Sequence, residues 1–422
     1  MRREQPVADS LAPFLGTRTG LVSGVAATFP SRSTPQFVQT TPSLADLDTL
    51  VGEATDTQLG VSGKGSTLAD SVTTCVGEAV ERYCLLFDHE DLLEVGSHTE
   101  MDAAFDHLVD FDLIDRYTAE QLECHDRIGP ISRNVEMTWC PATDLTAGHE
   151  TFVPAELLLY DIPDSYPSTY IGTTNGAAAG PSLPSAIRSG LYEYIERDAI
   201  MRLWYTQTTP PRLSVDQFDA IPQSFAPDST DNHLSVFLFS ADSPLSVPVV
   251  GCVIVDDRDQ APKVVVGGGA GPTYEEAVRD ALAEAAQVRP YVFNMLREHE
   301  SVDQIDQRAI HNFDENVLYY ADPDQFDDVS FLLDGETVSP PASPVPREGD
   351  RSQLQWLLEE FQRHDLAPLA LDVTAPDVQT TGVVVVKTFV PGLLPLSLPS
   401  LPHANHPRVR TETVTEIAHP YP

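Results

Sequence analysis

Cysteine is scarce in this 422-residue chain, and lysine is nearly absent. The five cysteines, Cys75, Cys84, Cys124, Cys140 and Cys252, are odd in number and form no C-x-x-C pair, which argues against a disulfide framework or a structural zinc site. His403 and His406 have a spacing that metal ligands use, but they sit in a Pro-rich stretch without obvious partners, and incidental spacing is the stronger reading. Long apolar runs are missing as well. Leu157 to Leu159 and Val383 to Val386 fall far short of the roughly 20 residues that span a bilayer. No continuous apolar stretch follows Arg2 and Arg3, so the expectation is a cytoplasmic protein without a membrane segment. Neither G-x-x-x-x-G-K-[ST], G-x-G-x-x-G nor G-x-S-x-G occurs in a convincing context.

Positive charge is also in short supply. Against 64 acidic residues stand 25 basic ones, a net of −39 spread along the chain, which makes duplex nucleic acid a poor partner. Lys64, Lys263 and Lys387 are the three lysines, and arginine supplies the rest. Such self-repulsion weakens a compact state in ordinary salt, whereas molar salt shortens the Debye length to about 3 Å and removes most of it. The composition therefore suggests a halophile's cytosol and carries no catalytic information.

What is present is a real core, with 41% apolar residues, enough for two or three packed layers. Leu68, Val72, Val76, Ala79, Val80, Tyr83 and Phe87 recur at helical spacing, predicting a helix over 67–87. Further helices are predicted over 182–205 and 274–289. Strands are predicted over 21–27, within 234–266 and over 383–390, with Gly267 to Pro272 breaking the strand run. This interleaving predicts an α/β (α+β) fold of mixed sheets with helices packed on them. The organisation expected is a lead-in segment, 1–60, packed on a main domain, 61–422, that ends in a Pro-rich tail.

One pattern is written three times. Thr74, Glu78 and Glu81 stand at i, i+4 and i+7, followed by Arg82; Ser189, Glu193 and Glu196 repeat the spacing, followed by Arg197; Asp280, Glu284 and Gln287 repeat it again, with Arg289 two residues on. At about 100° per residue these positions share one side of a helix, beside residues such as Cys75, Ala79, Gly190 and Tyr194 that belong to a buried face. Carboxylates near a core are costly unless paired or bound to a cation, and Mg²⁺ takes hard oxygen ligands while sharing its shell with phosphates. Solvated helix faces remain the alternative for any one triplet, with the arginines as surface ion-pair partners rather than phosphate ligands. Lys64, held between Gly63 and Gly65 just before the first helix, adds a cation at the same end.

These residues resemble the YcaO family over most of the chain, closest to its azoline-forming, peptide-heterocyclising branch. Gly63-Lys64-Gly65 with Thr74-x-x-x-Glu78-x-x-Glu81-Arg82-Tyr83 is similar to the family's first signature, with Thr in place of the more usual Ser. Thr174 to Gly180 leading into Gly190-Leu191-Tyr192-Glu193-Tyr194-Ile195-Glu196-Arg197 is similar to the second, and Ala281 to Arg289 to the third. Trp139 to Leu145 and Lys387 to Leu393 are similar to family landmarks.

The resemblance implies ATP and Mg²⁺ as cofactors, with Glu78, Glu81, Glu193 and Glu196 on the metal. Lys64, Thr74, Arg82, Ser189, Arg197, Glu284 and Gln287 are implied around the nucleotide, and Arg289 as a catalytic group. It also implies that a nucleophile attacks a peptide carbonyl, after which ATP phosphorylates the amide oxygen: attack by a Cys, Ser or Thr side chain gives an azoline, attack by sulfide a thioamide.

Pro181 and Ser185 depart from the pattern, as does Pro399 to Pro407 in place of a Gly-rich stretch. Ala418-His419-Pro420-Tyr421-Pro422 resembles the P-x-P-x-P terminus of the azoline-forming branch, which implies catalytic roles for Pro420 and Pro422, a frayed end being the alternative. The implied partners are a peptide or protein substrate and a leader-binding, adenylating-enzyme-like protein, with a homodimer possible. A non-catalytic ATP-binding scaffold stays open as a different class.

Overall fold

The computed structural model describes the chain apart from residues 1–8, 32–33, 47–59, 88, 125–127, 130, 223–224, 226–231, 259, 299–304, 308–309, 311, 348 and 422. Pro422 therefore lies outside the described residues, as does part of the expected lead-in. In chain order the first strands are β1 (Val22–Thr28), β2 (Val38–Leu44), β3 (Gly63–Gly65), β4 (Glu94–Ser97), β5 (Glu136–Asp144), β6 (Glu150–Pro154) and β7 (Ala177–Gly180). They are followed by β8 (Arg212–Leu213), β9 (Leu234–Ser240), β10 (Val249–Asp256), β11 (Val264–Ala270), β12 (Thr337–Val338), β13 (Leu369–Asp372) and β14 (Val384–Phe389). Three long helices are α1 (Leu68–Leu85), α2 (Leu183–Thr206) and α3 (Tyr274–Glu298). The mixture of helices and sheets is the α+β architecture expected.

The chain divides into two compact units. Unit 1 comprises Met1–Phe29, Val38–Tyr194 and Glu348–Gly392; unit 2 comprises Pro30–Phe37, Ile195–Arg347 and Leu393–Pro422. The division passes through α2. Within unit 1, β1, β2 and β3 form an antiparallel sheet in which Gln39 pairs with Lys64. A second sheet runs β4-β5-β13-β14-β7, with β6 paired to β5. Helix α1 starts where Thr67 accepts a hydrogen bond from the Asp70 N–H, satisfying one of the first turn's free donors. Its apolar stripe of Cys75, Val76, Ala79, Val80 and Cys84 is buried.

In unit 2 the sheet order is β11-β10-β9-β8-β12. All eight residues of β10 are buried, as its uninterrupted apolar run requires of a strand covered on both faces. Two sequence expectations are corrected here. Gly267 to Pro272 does not end the strand run, because Gly267, Gly268 and Gly269 continue β11 to Ala270. A Cβ on Gly267 would lie 2.5 Å from the Ala281 carbonyl oxygen, and one on Gly269 would lie 2.2 Å from that of Ala277. These two glycines thus let α3 sit directly on the strand.

The second correction concerns the end of α3, which does not stop at Arg289 but continues through Pro290 to Glu298. Val288 and Val292, one turn apart across the proline, are both buried in the same core as Ala281 and Ala285. Tertiary burial there outweighs the lost hydrogen bond.

Gly269→Ala should lower unfolding free energy by about 1–3 kcal/mol, since the neighbours are backbone atoms that cannot yield easily. Chemical denaturation of the variant against the parent measures it. An unchanged midpoint and slope would show that α3 does not lie this close to β11.

Candidate active site: two clusters of half-buried carboxylates

In unit 1 the cluster is built by contact between β3 and α1. Gly63 and Gly65 have the same purpose as the β11 glycines: a Cβ on either would lie within 2.5 Å of Ser71 backbone atoms. That close approach brings the Lys64 backbone to Thr74, whose hydroxyl accepts from the Lys64 N–H at 3.0 Å and donates to its carbonyl at 2.9 Å. One turn on, a Glu78 oxygen accepts from the Ser62 N–H at 3.0 Å. Arg82 then bridges both acids of its helix, 3.0 Å from Glu78 and 3.1 Å from Glu81.

Glu193 reaches the same unit from α2. Gly176, at φ +75°, could not carry a side chain without strain, and a Cβ on Gly190 would lie 2.6 Å from its carbonyl oxygen. Thr388 fixes this crossing by donating its N–H at 2.8 Å and its hydroxyl at 3.0 Å to the same carbonyl. The preceding residue, Lys387 on β14, is fully buried and donates to the Thr173 carbonyl. Burial pushes its ammonium down to about 7, against the opposing pull of Glu193 and Glu81. Conversely, burial pushes Glu81 up to about 7 despite the Arg82 guanidinium beside it, with Glu78 and Glu193 adding repulsion. Three acids and two cations thus share a space too dry to ionise all of them comfortably.

The cluster of unit 2 joins the rest of α2 to α3 and β11. Arg197 lies 3.9 Å from Glu196 and 3.7 Å from Glu284. A Glu284 oxygen accepts from the Gly268 N–H at 2.6 Å, and a Cβ on Gly268 would lie 2.5 Å from a Glu196 oxygen. The middle glycine therefore faces α2 while its neighbours face α3.

Asp198, the next residue of α2, is held by Arg408 through two hydrogen bonds of 2.8 and 3.0 Å and accepts from the Leu394 N–H. His403 and His406 are buried in the Pro-rich segment that this pair anchors. The chain's last stretch is buried as well. Trp204 donates to the Ile417 carbonyl at 2.9 Å, Tyr320 to that of Ala418, and Asn316 to that of Tyr421 at 3.4 Å; His419 bonds the Ser397 carbonyl at 2.9 Å. Pro420 is buried between His419 and Tyr421.

The three sequence triplets share a gradient. Thr74, Ser189 and Asp280 are exposed, whereas the acids or amide one and two turns on, Glu78 and Glu81, Glu193 and Glu196, Glu284 and Gln287, are half-buried. The arginines do not match so well: Arg82 and Arg197 stay with the acids, but Arg289 lies about 140° around α3 from Glu284. It bonds buried Asp256 at 2.7 Å, an acid that also holds Arg258, and its guanidinium packs over Phe293. Arg289 thus ties α3 to the end of β10. Sequence reasoning passed over Lys387 except as a landmark, although a lysine inside a valine-rich strand of a chain with three lysines was a legible signal.

Among the described residues, no three His, Cys, Asp or Glu side chains converge into a metal-holding group, and no helix is long and apolar enough to cross a membrane. A family model described as YcaO cyclodehydratase, ATP and Mg²⁺-binding, matches residues 62–394. An uncharacterized protein of Methanothermobacter thermautotrophicus is 26% identical over 361 residues, covering 79% of this chain and 81% of its own.

Among solved structures, a heterocyclase in complex with substrate and cofactor superposes with a TM-score of 0.71 at 21% identity. The match covers 97% of this chain and 56% of that one, so the present chain spans just over half of its length. YcaO from Methanopyrus kandleri, bound with AMPPCP and Mg²⁺, superposes with a TM-score of 0.60 at 20% identity, covering 88% and 86%.

The raised Glu81 value has a measurable consequence. Its folded value lies above the unfolded 4.5, so its contribution to stability is complete below about pH 4.5 and is lost as pH rises through 7. Without nucleotide, Glu81→Gln should gain on the parent by up to about 3 kcal/mol between these limits. Denaturant melts across that range measure the difference, and one that stays constant with pH would contradict the assignment.

Proposed function

The chain belongs to the YcaO family, with ATP and Mg²⁺ as its cofactors, and on that premise we propose that it activates backbone amides of a ribosomally made peptide to form thiazolines or oxazolines. In this reading a Cys, Ser or Thr side chain of the substrate adds to the preceding carbonyl carbon and gives up its proton. ATP, held with Mg²⁺, supplies the phosphoryl group that makes the former amide oxygen a leaving group. Loss of that oxygen as phosphate and of the amide proton leaves a C=N bond and closes the ring.

The chain's own residues suit this chemistry, which needs positioning and charge neutralisation more than a protein nucleophile. Glu78, Glu81, Glu193 and Glu196 offer hard oxygen donors for Mg²⁺. Glu81, pushed up to about 7, is a site that a divalent cation would return to its ionised form. Arg82, Arg197 and Lys64 are proposed for phosphate oxygens, with Glu284 and Gln287 at the nucleotide. Thr74 and Ser189 are proposed beside them, Thr74 through the Lys64 backbone that it holds.

The observation that carries the azoline reading over its thioamide alternative is the tail. Ala418 to Tyr421 is buried in unit 2, and Tyr421 lies within electrostatic reach of Glu284, Glu196 and Arg197. A segment serving this chemistry is expected to be so placed. A peptide substrate and a separate leader-binding protein complete the proposal.

The test is a reaction of the full chain in molar salt with ATP, Mg²⁺, a candidate precursor peptide and its binding partner. The expected product has lost one water mass per ring, with stoichiometric ADP and phosphate, and Glu81→Gln and Glu196→Gln should slow ATP turnover at least about 100-fold. Exchange of oxygen for sulfur when sulfide is supplied would replace the azoline reading by thioamide formation. ATP turnover unchanged in both variants would overturn the site.

A further inference from the structure

Tyr421 is 1% exposed, and among the described residues its hydroxyl has no hydrogen-bond partner. A buried hydroxyl without a partner costs about 1–3 kcal/mol, and phenylalanine would fill the same volume without that cost. The ring is not there by default of space, because its backbone is clamped. Asn316 bonds its carbonyl, and just before it Ile417 and Ala418 are fixed by Trp204 and Tyr320 on their carbonyls and His419 by its own bond to the Ser397 carbonyl. Within electrostatic reach of the phenol are Glu284 of α3, Cys252 of β10, and Glu196 and Arg197 of α2, while Asn316 and Tyr320 pack on the tail from residues 313–321. Burial and the two acids hold it in its neutral form, a donor.

We propose that the Tyr421 hydroxyl is a phosphate-contacting group, donating a hydrogen bond to an oxygen of the bound nucleotide's polyphosphate. The inference rests on the ATP reading above and adds to it a residue of the tail. A phenol hydroxyl has one hydrogen to donate, and an acceptor brought by a ligand would take it. The neighbours define what kind: Arg197 favours an anionic oxygen, and Glu196 and Glu284 exclude an anion unless a divalent cation comes with it. A nucleoside triphosphate with Mg²⁺ meets both conditions, whereas a lone carboxylate or free phosphate meets the first alone. Held rigidly by the clamped tail, the donor loses little entropy when the ligand arrives.

Calorimetric titration of a β,γ-non-hydrolysable ATP analogue with Mg²⁺ into the full-length protein and its Tyr421→Phe variant, in molar salt, tests this. Tyr421→Phe should weaken analogue binding about tenfold, while denaturant melts without nucleotide show a stability equal to or above the parent's. An unchanged analogue affinity in Tyr421→Phe would overturn the inference, as would a rise confined to the KM for the peptide. A loss of stability without a loss of affinity would make the hydroxyl structural. If the parent itself binds no analogue, the ATP reading fails, and the Tyr421 inference with it.

Discussion

Carboxylates of like charge, placed beside a protein core with too few cations to neutralise them, are the constraint on which the rest of this structure depends. Glu78, Glu81 and Glu193 have Arg82 and buried Lys387 in unit 1; Glu196 and Glu284 have Arg197 and the Gly268 N–H in unit 2. Each arrangement satisfies some oxygens and leaves a deficit of positive charge, which adds to the burial that pushes Glu81 up to about 7. A chain that needed these helices for stability alone would do better with apolar residues at the same positions. Keeping the acids is intelligible if a divalent cation and a polyphosphate complete them.

The acids are brought to their places by glycines. Gly63 and Gly65 let β3 touch α1, Gly176 and Gly190 let α2 cross β14, and Gly267 and Gly269 let α3 lie on β11. At the first and third of these contacts a helix with a half-buried carboxylate comes close enough for a backbone N–H to reach it, as Ser62 does for Glu78 and Gly268 for Glu284.

Much of this was legible in the sequence. The 3.6-residue period located α1 and α2 within a residue or two, because their apolar stripes meet a core directly. The carboxylate spacing put the half-buried acids of each helix on one side of it. What stayed hidden depended on distant partners. Gly267 to Gly269 read as a break because local propensity disfavours glycine in strands, and nothing local announces that α3 will cover them. Pro290 ended the third helix on paper, since the burial of Val288 and Val292 is a tertiary fact. Arg289 looked like its two counterparts because sequence shows adjacency and not the partner, Asp256, that lies 33 residues away. Lys387 was hidden for the opposite reason, being a charge inside an apolar strand that is explained by acids from two other elements.

The tail follows the same logic. The carbonyls of Ile417, Ala418 and Tyr421 accept from Trp204, Tyr320 and Asn316, and the buried His419 ring bonds the Ser397 carbonyl, so the segment is part of the interior of unit 2. The most direct measurement of the central claim is a crystal structure of the full chain grown with a non-hydrolysable ATP analogue and Mg²⁺. The account predicts a metal ion at bonding distance from Glu81 or Glu193, with a phosphate oxygen in its shell. Nucleotide bound elsewhere, with no metal on any of these carboxylates, would contradict it.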